Sequence, residues 1–313
     1  MQALRIHDWG QAPVVEDVAE PTRQEGEVLV QVQAAALAHL DRTVASGSFG
    51  MRPQLPYTGG VEGSGVVLEA DDIPSGAQVM LRGGGLGLMR DGTWQERVSV
   101  SRKAVSLLNQ ELPPAVAATF FVPTTTAAVA LHDVAALGAG ERVAVVGAAG
   151  AVGASVVQQA LLAGAEVVGL VSQAEQLADV PKGAEAVRLD DERVASWETE
   201  RPFSLLVDTL GGDGLSRRST WVRAGGRAVV IGYVAGASTS LDLPNWLLSD
   251  VALLPVNMIR QERRARELMP DMVERLASGE LEVRVETVSL ADAADALDRM
   301  ARGRIRGRAV VLF

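Results

Sequence analysis

The chain has 313 residues, with 29 Lys and Arg against 39 Asp and Glu, a formal charge of −10. That length allows two domains and a sizeable core, while the acidic balance disfavours nucleic acid and anionic membrane as partners. Cysteine is absent, which removes disulfides, thiolate nucleophiles and cysteine-ligated zinc. Early polar residues, Arg5, His7 and Asp8, leave no apolar core for a signal peptide, so a cytoplasmic location is the default expectation.

The first hundred residues read as short strands punctuated by glycine. Val28, Val30 and Val32 alternate with Leu29, Gln31 and Gln33, which predicts a strand over Glu27 to Ala35. Further strands are expected at Gly65 to Glu69, Gln78 to Leu81 and Glu96 to Val100, separated by Gly59-Gly60, Gly63 and Gly83-Gly84-Gly85. Such a pattern suggests a small β-barrel.

The middle of the chain alternates differently. Val143-Ala144-Val145-Val146 is a short apolar run, the pattern of a strand buried on both faces. Directly after it comes Gly147-Ala148-Ala149-Gly150-Ala151-Val152-Gly153. Here Gly150 lets backbone approach a phosphate, and Gly153 lets the following helix lie against the strand. Val152, Val156 and Ala160, with Val157 and Leu161, trace that helix to a C-cap near Gly164, and a second strand follows at Val167 to Val171. Strand, glycine turn, helix and strand together have the shape of a dinucleotide's pyrophosphate seat, with residues 148 to 153 at the positive end of the helix dipole. No charge falls between Arg142 and Glu166, a membrane-span length, but four glycines and Gln158-Gln159 argue against a span.

Further strands are expected at Ser204 to Asp208 and Ala228 to Ile231, each separated by helix-length stretches, which gives a parallel sheet with right-handed crossovers. Beyond Pro255 the pattern predicts a helix over Glu262 to Ala277, a strand over Leu281 to Val288, a helix over Ala291 to Arg302 and a final strand over Arg308 to Leu312.

Six ordered motifs then carry a resemblance that spans nearly the whole chain. They are Pro56-Tyr57-Thr58-Gly59-Gly60-Val61-Glu62-Gly63-Ser64-Gly65-Val66-Val67, Asp91-Gly92-Thr93-Trp94-Gln95-Glu96, Thr126-Ala127, the Gly147 loop, Asp208-Thr209-Leu210-Gly211-Gly212 and Gly225-Gly226-Arg227. In this order they resemble the medium-chain dehydrogenase/reductase superfamily, and within it the zinc-independent quinone oxidoreductases, to which zeta-crystallin belongs. The resemblance implies an α/β fold: a GroES-like β-barrel domain over residues 1–117 and 256–313, with a Rossmann domain, a doubly wound parallel sheet, inserted at 118–255. It also implies a homodimer, built through the sheet edge near Leu241 to Pro255.

Departures from the family bear on the chemistry. Zinc-dependent members carry a Cys near Ala38 and a His where this chain has Val61, so no metal is expected and oxidation through a zinc alkoxide is disfavoured. Many quinone reductases carry an Asn where Ala38 stands and a Tyr where Thr43 stands. The remaining catalytic candidates are His39, which lies in the segment lining the substrate site of similar proteins, Asp41, which matches a family Asp that caps or anchors a turn, and Tyr57, whose phenol has a donatable proton. Glu62 aligns with a family Glu of structural role. By resemblance Thr126 approaches the nicotinamide, although Thr124-Thr125-Thr126 also reads as a capping region before a helix.

Cofactor choice is set at the end of the second strand, where an acidic residue commonly takes the ribose 2′-hydroxyl of NAD. Ser172 and Gln173 stand there instead and accept a 2′-phosphate without repulsion, while Ser172-x-x-Glu175 has capping-box spacing. NADPH is expected over NADH. Gln176 occupies a position often Lys in similar NADPH enzymes, and Leu210, Gly211, Gly232 and Tyr233 complete the expected cofactor contacts.

The expected activity is hydride transfer from NADPH to a small-molecule electrophile, a quinone or an α,β-unsaturated carbonyl, without zinc and without an obligatory protein acid. Two alternatives stand beside it: an NADPH-binding protein without turnover, crystallin-like or sensing, and an enoyl reductase acting on a thioester.

Overall fold

The computed structural model describes Met1–Phe313. The chain divides into two compact units, one built from Met1–Phe121 and Val273–Phe313, the other from Val122–Met272.

In the first unit the eleven-residue strand Glu27–Leu37 organises a seven-stranded sheet, pairing antiparallel with Glu62–Glu69, Arg97–Ser101 and Arg308–Leu312. Its alternation puts Val28, Val30 and Val32 into the core and leaves Gln31 and Gln33 half-buried. A smaller sheet joins Gln2–Ile6, Val14–Asp17 and Tyr57–Thr58. Leu4, Ile6, Leu37, Leu81 and Trp94 fill the interior. The glycine-rich motifs pack against one another there. A Cβ on Gly59 would stand 2.5 Å from the Trp94 ring and one on Gly92 would stand 2.3 Å from the Gly60 carbonyl oxygen, so only hydrogen fits at either. The strand expected over Leu281 to Val288 is shorter, Val285–Val288, because the Leu281 amide turns back to the Arg275 carbonyl to close the preceding helix.

The second unit holds a six-stranded sheet in the order Glu185–Arg188, Glu166–Val171, Arg142–Val146, Phe203–Asp208, Val222–Val230, Ala252–Pro255, every neighbouring pair parallel. Strand order reverses between Arg142–Val146 and Phe203–Asp208. Both faces are covered: Val143 and Val145 pack with the helix Ala151–Leu162, whereas Ala144 and Val146 share the opposite cluster with Trp197, Phe203 and Trp221. That double burial explains the unbroken apolar run.

The junction lies inside the helix Glu262–Ala277, where the sequence placed it at residue 256. Arg264 pairs with Asp133 at 3.2 Å and so belongs to the second unit, while Glu274 accepts a 3.0 Å bond from Asn109 and belongs to the first. No helix of the structure is long and apolar enough to cross a membrane.

Candidate functional site

The carboxyl ends of the three adjacent strands Arg142–Val146, Phe203–Asp208 and Val222–Val230 meet in a set of interlocked loops at the point of strand-order reversal, the usual ligand position in such sheets. The first loop turns at Gly147, whose φ is +80°. The Gly147 and Ala148 amides both donate to the Leu170 carbonyl, and the Gly150 amide donates to Gly147. Gly150 then caps the helix Ala151–Leu162 with no side-chain bond. The amides of Ala151, Val152 and Gly153 are thereby left as donors at the positive end of a twelve-residue helix. A Cβ on Gly150 would meet only the Gly147 oxygen, at 3.2 Å, so the space above the turn is open. This cradle fits a diphosphate.

The second loop, Thr209 to Gly212, crosses beside the first. Thr209 bonds the Val146 carbonyl at 2.8 Å, its hydroxyl oxygen would stand 2.2 Å from a Cβ on Gly147, and a Leu210 methyl would stand 3.5 Å from it. The third loop brings Gly232 so close to Thr209 that a Cβ would lie 2.3 Å from its carbonyl oxygen. Gly211 is buried between them, and Tyr233 is exposed at 76%.

At the end of Glu166–Val171, Ser172 and Gln173 are exposed as the sequence placed them. The short helix that follows begins at Ala174, and its cap is Gln176 rather than Glu175: the Gln176 Oε1 accepts from the Ser172 amide at 3.2 Å, the Ser172 hydroxyl at 3.1 Å and the Gln173 amide at 3.1 Å. Thr124, Thr125 and Thr126 lie within the helix Phe121–Ala128 and are buried, so they do not precede it as caps. Thr126 is 3% exposed.

The catalytic candidates all lie in the first unit. His39 opens the helix His39–Ala45 and is exposed, and partial desolvation followed by the Arg308 and Arg42 charges lowers its pKa. Asp41 is buried, with Oδ2 accepting the Ala38 amide at 2.8 Å and Oδ1 accepting those of Gly60 and Val61 at 3.1 and 3.0 Å. It ties the start of its helix to the Gly60–Val61 turn. Burial outweighs those three bonds, and with the nearby Glu62 charge it raises Asp41 to about 7. Tyr57 is 3% exposed, and burial, then Asp41, push its phenol well above the ordinary value.

Glu62 is the residue whose surroundings the sequence concealed. Arg308, 246 residues away, donates Nη2 to Oε2 at 2.6 Å, and Arg82 donates to Oε1 at 3.3 Å. No local pattern pairs these three. The positions of the family's zinc ligands hold buried Ala38 and Val61.

The fold is that of a two-domain oxidoreductase with a Rossmann insert. The model of an alcohol dehydrogenase GroES-like domain matches residues 24–110, and that of a zinc-binding dehydrogenase matches 182–311. The chain belongs to the medium-chain dehydrogenase/reductase superfamily and is quinone oxidoreductase-like. It is 28% identical over 241 residues to the quinone oxidoreductase of Sus scrofa, covering 74% of this chain and 73% of that one. It is also 31% identical over 327 residues to a phenolphthiocerol/phthiocerol polyketide synthase of Mycobacterium tuberculosis, covering 99% of this chain and 14% of that protein. In fold it matches the quinone oxidoreductase of Pseudomonas syringae with a TM-score of 0.83 at 24% identity, over 100% of this chain and 99% of that one. The Escherichia coli quinone oxidoreductase, solved with NADPH, gives 0.83 at 19%, over all of both chains.

Proposed function

We propose that the protein is an NADPH-dependent reductase that delivers hydride to a quinone or to the β-carbon of an α,β-unsaturated carbonyl, without zinc. The observation that carries this is the glycine cradle: three uncapped helix amides above Gly147 and Gly150, where a diphosphate gains both hydrogen bonds and the helix dipole. Bound NADPH supplies the hydride, and water supplies the balancing proton. The chain's residues hold and orient. Amides of Ala151, Val152 and Gly153 take the diphosphate, Leu210 and Gly211 flank the turn, Gly232 and Tyr233 complete the cofactor contacts, and Thr126 belongs to the nicotinamide side by family resemblance. Ser172 and Gln173 offer donors to a 2′-phosphate once Gln176 releases them, and no carboxylate stands at the strand end to repel it. With Val61 and Ala38 at the metal positions and Glu62 engaged by two guanidiniums, the acceptor end relies on positioning.

A second reading, an enoyl reductase acting on a thioester, is favoured by the polyketide synthase likeness, which extends over 99% of the chain where the pig relative covers 74%. Separate titrations with NADPH and NADH, then stopped-flow absorbance of the reduced nicotinamide with free quinones, free enones and enoyl thioesters, test both. NADPH binds more tightly and is consumed by free quinone or enone in the first case, and by thioester alone in the second. Binding without consumption across the panel assigns a non-catalytic, sensing or crystallin-like role.

We also propose a homodimer. Ala252–Pro255 pairs on one side only, and Leu247 and Leu248 nearby are exposed. Sedimentation equilibrium decides it, a monomer at micromolar concentration overturning the proposal.

A further inference from the structure

Asp208 ends the central strand Phe203–Asp208 and is fully buried beside Arg218, itself 8% exposed. Its Oδ1 accepts the amides of Leu210 and Gly211 at 2.9 and 2.8 Å, and its Oδ2 accepts the Arg218 Nε at 2.6 Å. Arg218 donates a second bond, from Nη2 to the Gly211 carbonyl at 2.7 Å. One carboxylate and one guanidinium therefore grip both faces of a single peptide segment. That segment needs holding, because Gly211 and Gly212 are consecutive left-handed residues at φ +65° and +67°. Glycine at 214 belongs to the same device: a Cβ there would stand 2.2 Å from the Arg218 Nη1.

The grip is transmitted to both neighbouring loops. The Leu210 carbonyl accepts the Ala235 amide at 2.8 Å, and Gly211 and Gly236 form a parallel bridge. On the other side Thr209 and Leu210 close over Gly147. The position of Leu210 beside the diphosphate cradle is thus set by a buried ion pair. A buried pair is weak evidence for stability, since desolvation offsets most of its attraction, whereas fixing one arrangement among several is a role such pairs can serve.

We propose that Asp208 and Arg218 are positioning residues for nicotinamide nucleotide binding, holding the 209–212 loop where the cofactor requires it; this rests on the cofactor assignment above. Arg218→Lys keeps the buried charge but loses the two-pronged grip. Three measurements on the full chain test it: NADPH affinity by nicotinamide fluorescence, amide hydrogen exchange of the 209–212 segment without nucleotide, and Tm. The control is Arg227→Lys, which weakens the Arg227–Glu141 pair at the opposite end of the same strands.

Arg218→Lys is expected to speed exchange in 209–212 and to weaken NADPH about tenfold, the loss of roughly one charge-assisted hydrogen bond. The control lowers Tm comparably and leaves Kd unchanged. Wild-type affinity in Arg218→Lys, or equal weakening by the control, overturns the proposal. Should Arg218→Lys fail to fold, Asp208→Asn, which retains an acceptor for the two amides, is read by the same criteria. Wild-type protein that binds neither NADPH nor NADH overturns the cofactor assignment instead, and the exchange comparison still decides whether the pair orders the loop.

Discussion

A Cβ on Gly153 would stand 2.1 Å from the carbonyl oxygen of Gly147, so the helix that follows the glycine turn lies against the turn's own backbone. Gly150, three residues earlier, has nothing nearer than 3.2 Å. One glycine is required for packing, the other for access.

That difference separates two substitutions. Gly153→Val displaces the helix and is expected to cost about 3 kcal/mol through overpacking, seen as a lower denaturation midpoint. Gly150→Asp is expected to fold with near wild-type Tm yet weaken NADPH about a hundredfold, the ~3 kcal/mol of like charges a few ångströms apart near a surface. Isothermal titration beside a thermal melt checks the pair, and an unaltered Kd in Gly150→Asp rules out the diphosphate seat.

Asp41 imposes a pH dependence. Its pKa is raised from 3.8 to about 7 in the fold, so the folded state binds a proton that the unfolded chain has released. The resulting stabilisation is complete below pH 3.8 and is lost progressively as pH climbs from there through about 7, roughly 4 kcal/mol in all. Asp41→Asn should flatten that part of the stability profile between about pH 4 and 7, measured by urea denaturation. A wild-type profile that does not lose stability relative to Asp41→Asn over this window contradicts the assignment.

Glu62 sits between Arg82 and Arg308 with 5% side-chain exposure. Glu62→Gln keeps the shape and leaves two guanidiniums facing a neutral amide, a loss of about 2 kcal/mol. Glu62→Gln combined with Arg308→Gln should recover part of it, since the uncompensated charge goes as well. A double-mutant cycle by chemical denaturation reports the coupling, and strict additivity would show that the pair does not interact energetically.

Trp94 is fully buried, donates its indole N–H to the Ala36 carbonyl at 2.9 Å and packs on Gly59. Gly59→Ala must displace that ring and is expected to cost about 2 kcal/mol, whereas Trp94→Phe loses the bond and some volume for a similar cost. If Gly59→Ala melts at the wild-type temperature, the close contact is not a constraint.

The local patterns were legible because their causes are local. Alternation at Val28, Val30 and Val32 follows from a strand with one buried face, and the apolar run at 143–146 from a strand with two. The Gly147 turn announced itself through backbone conformations that only small residues accept. Where either of two neighbours in sequence can do the work, the structure chooses: Gln176 caps the turn at Ser172, not Glu175, since the short helix begins at Ala174. The threonines at 124–126 lie inside a helix because packing decided it, against a pattern that reads equally well as a cap.

The order of elements, the glycine cradle and the family were thus present in the sequence alone, since each depends on the spacing of residues within one turn, strand or helix. Folding alone decided that Asp41 anchors two amides of a distant turn, that Arg308 and Arg82 share Glu62, and that Arg218 reaches back to Asp208. Charges and close contacts of that kind depend on distances in space, and no periodicity along the chain encodes which cation will arrive beside a buried carboxylate.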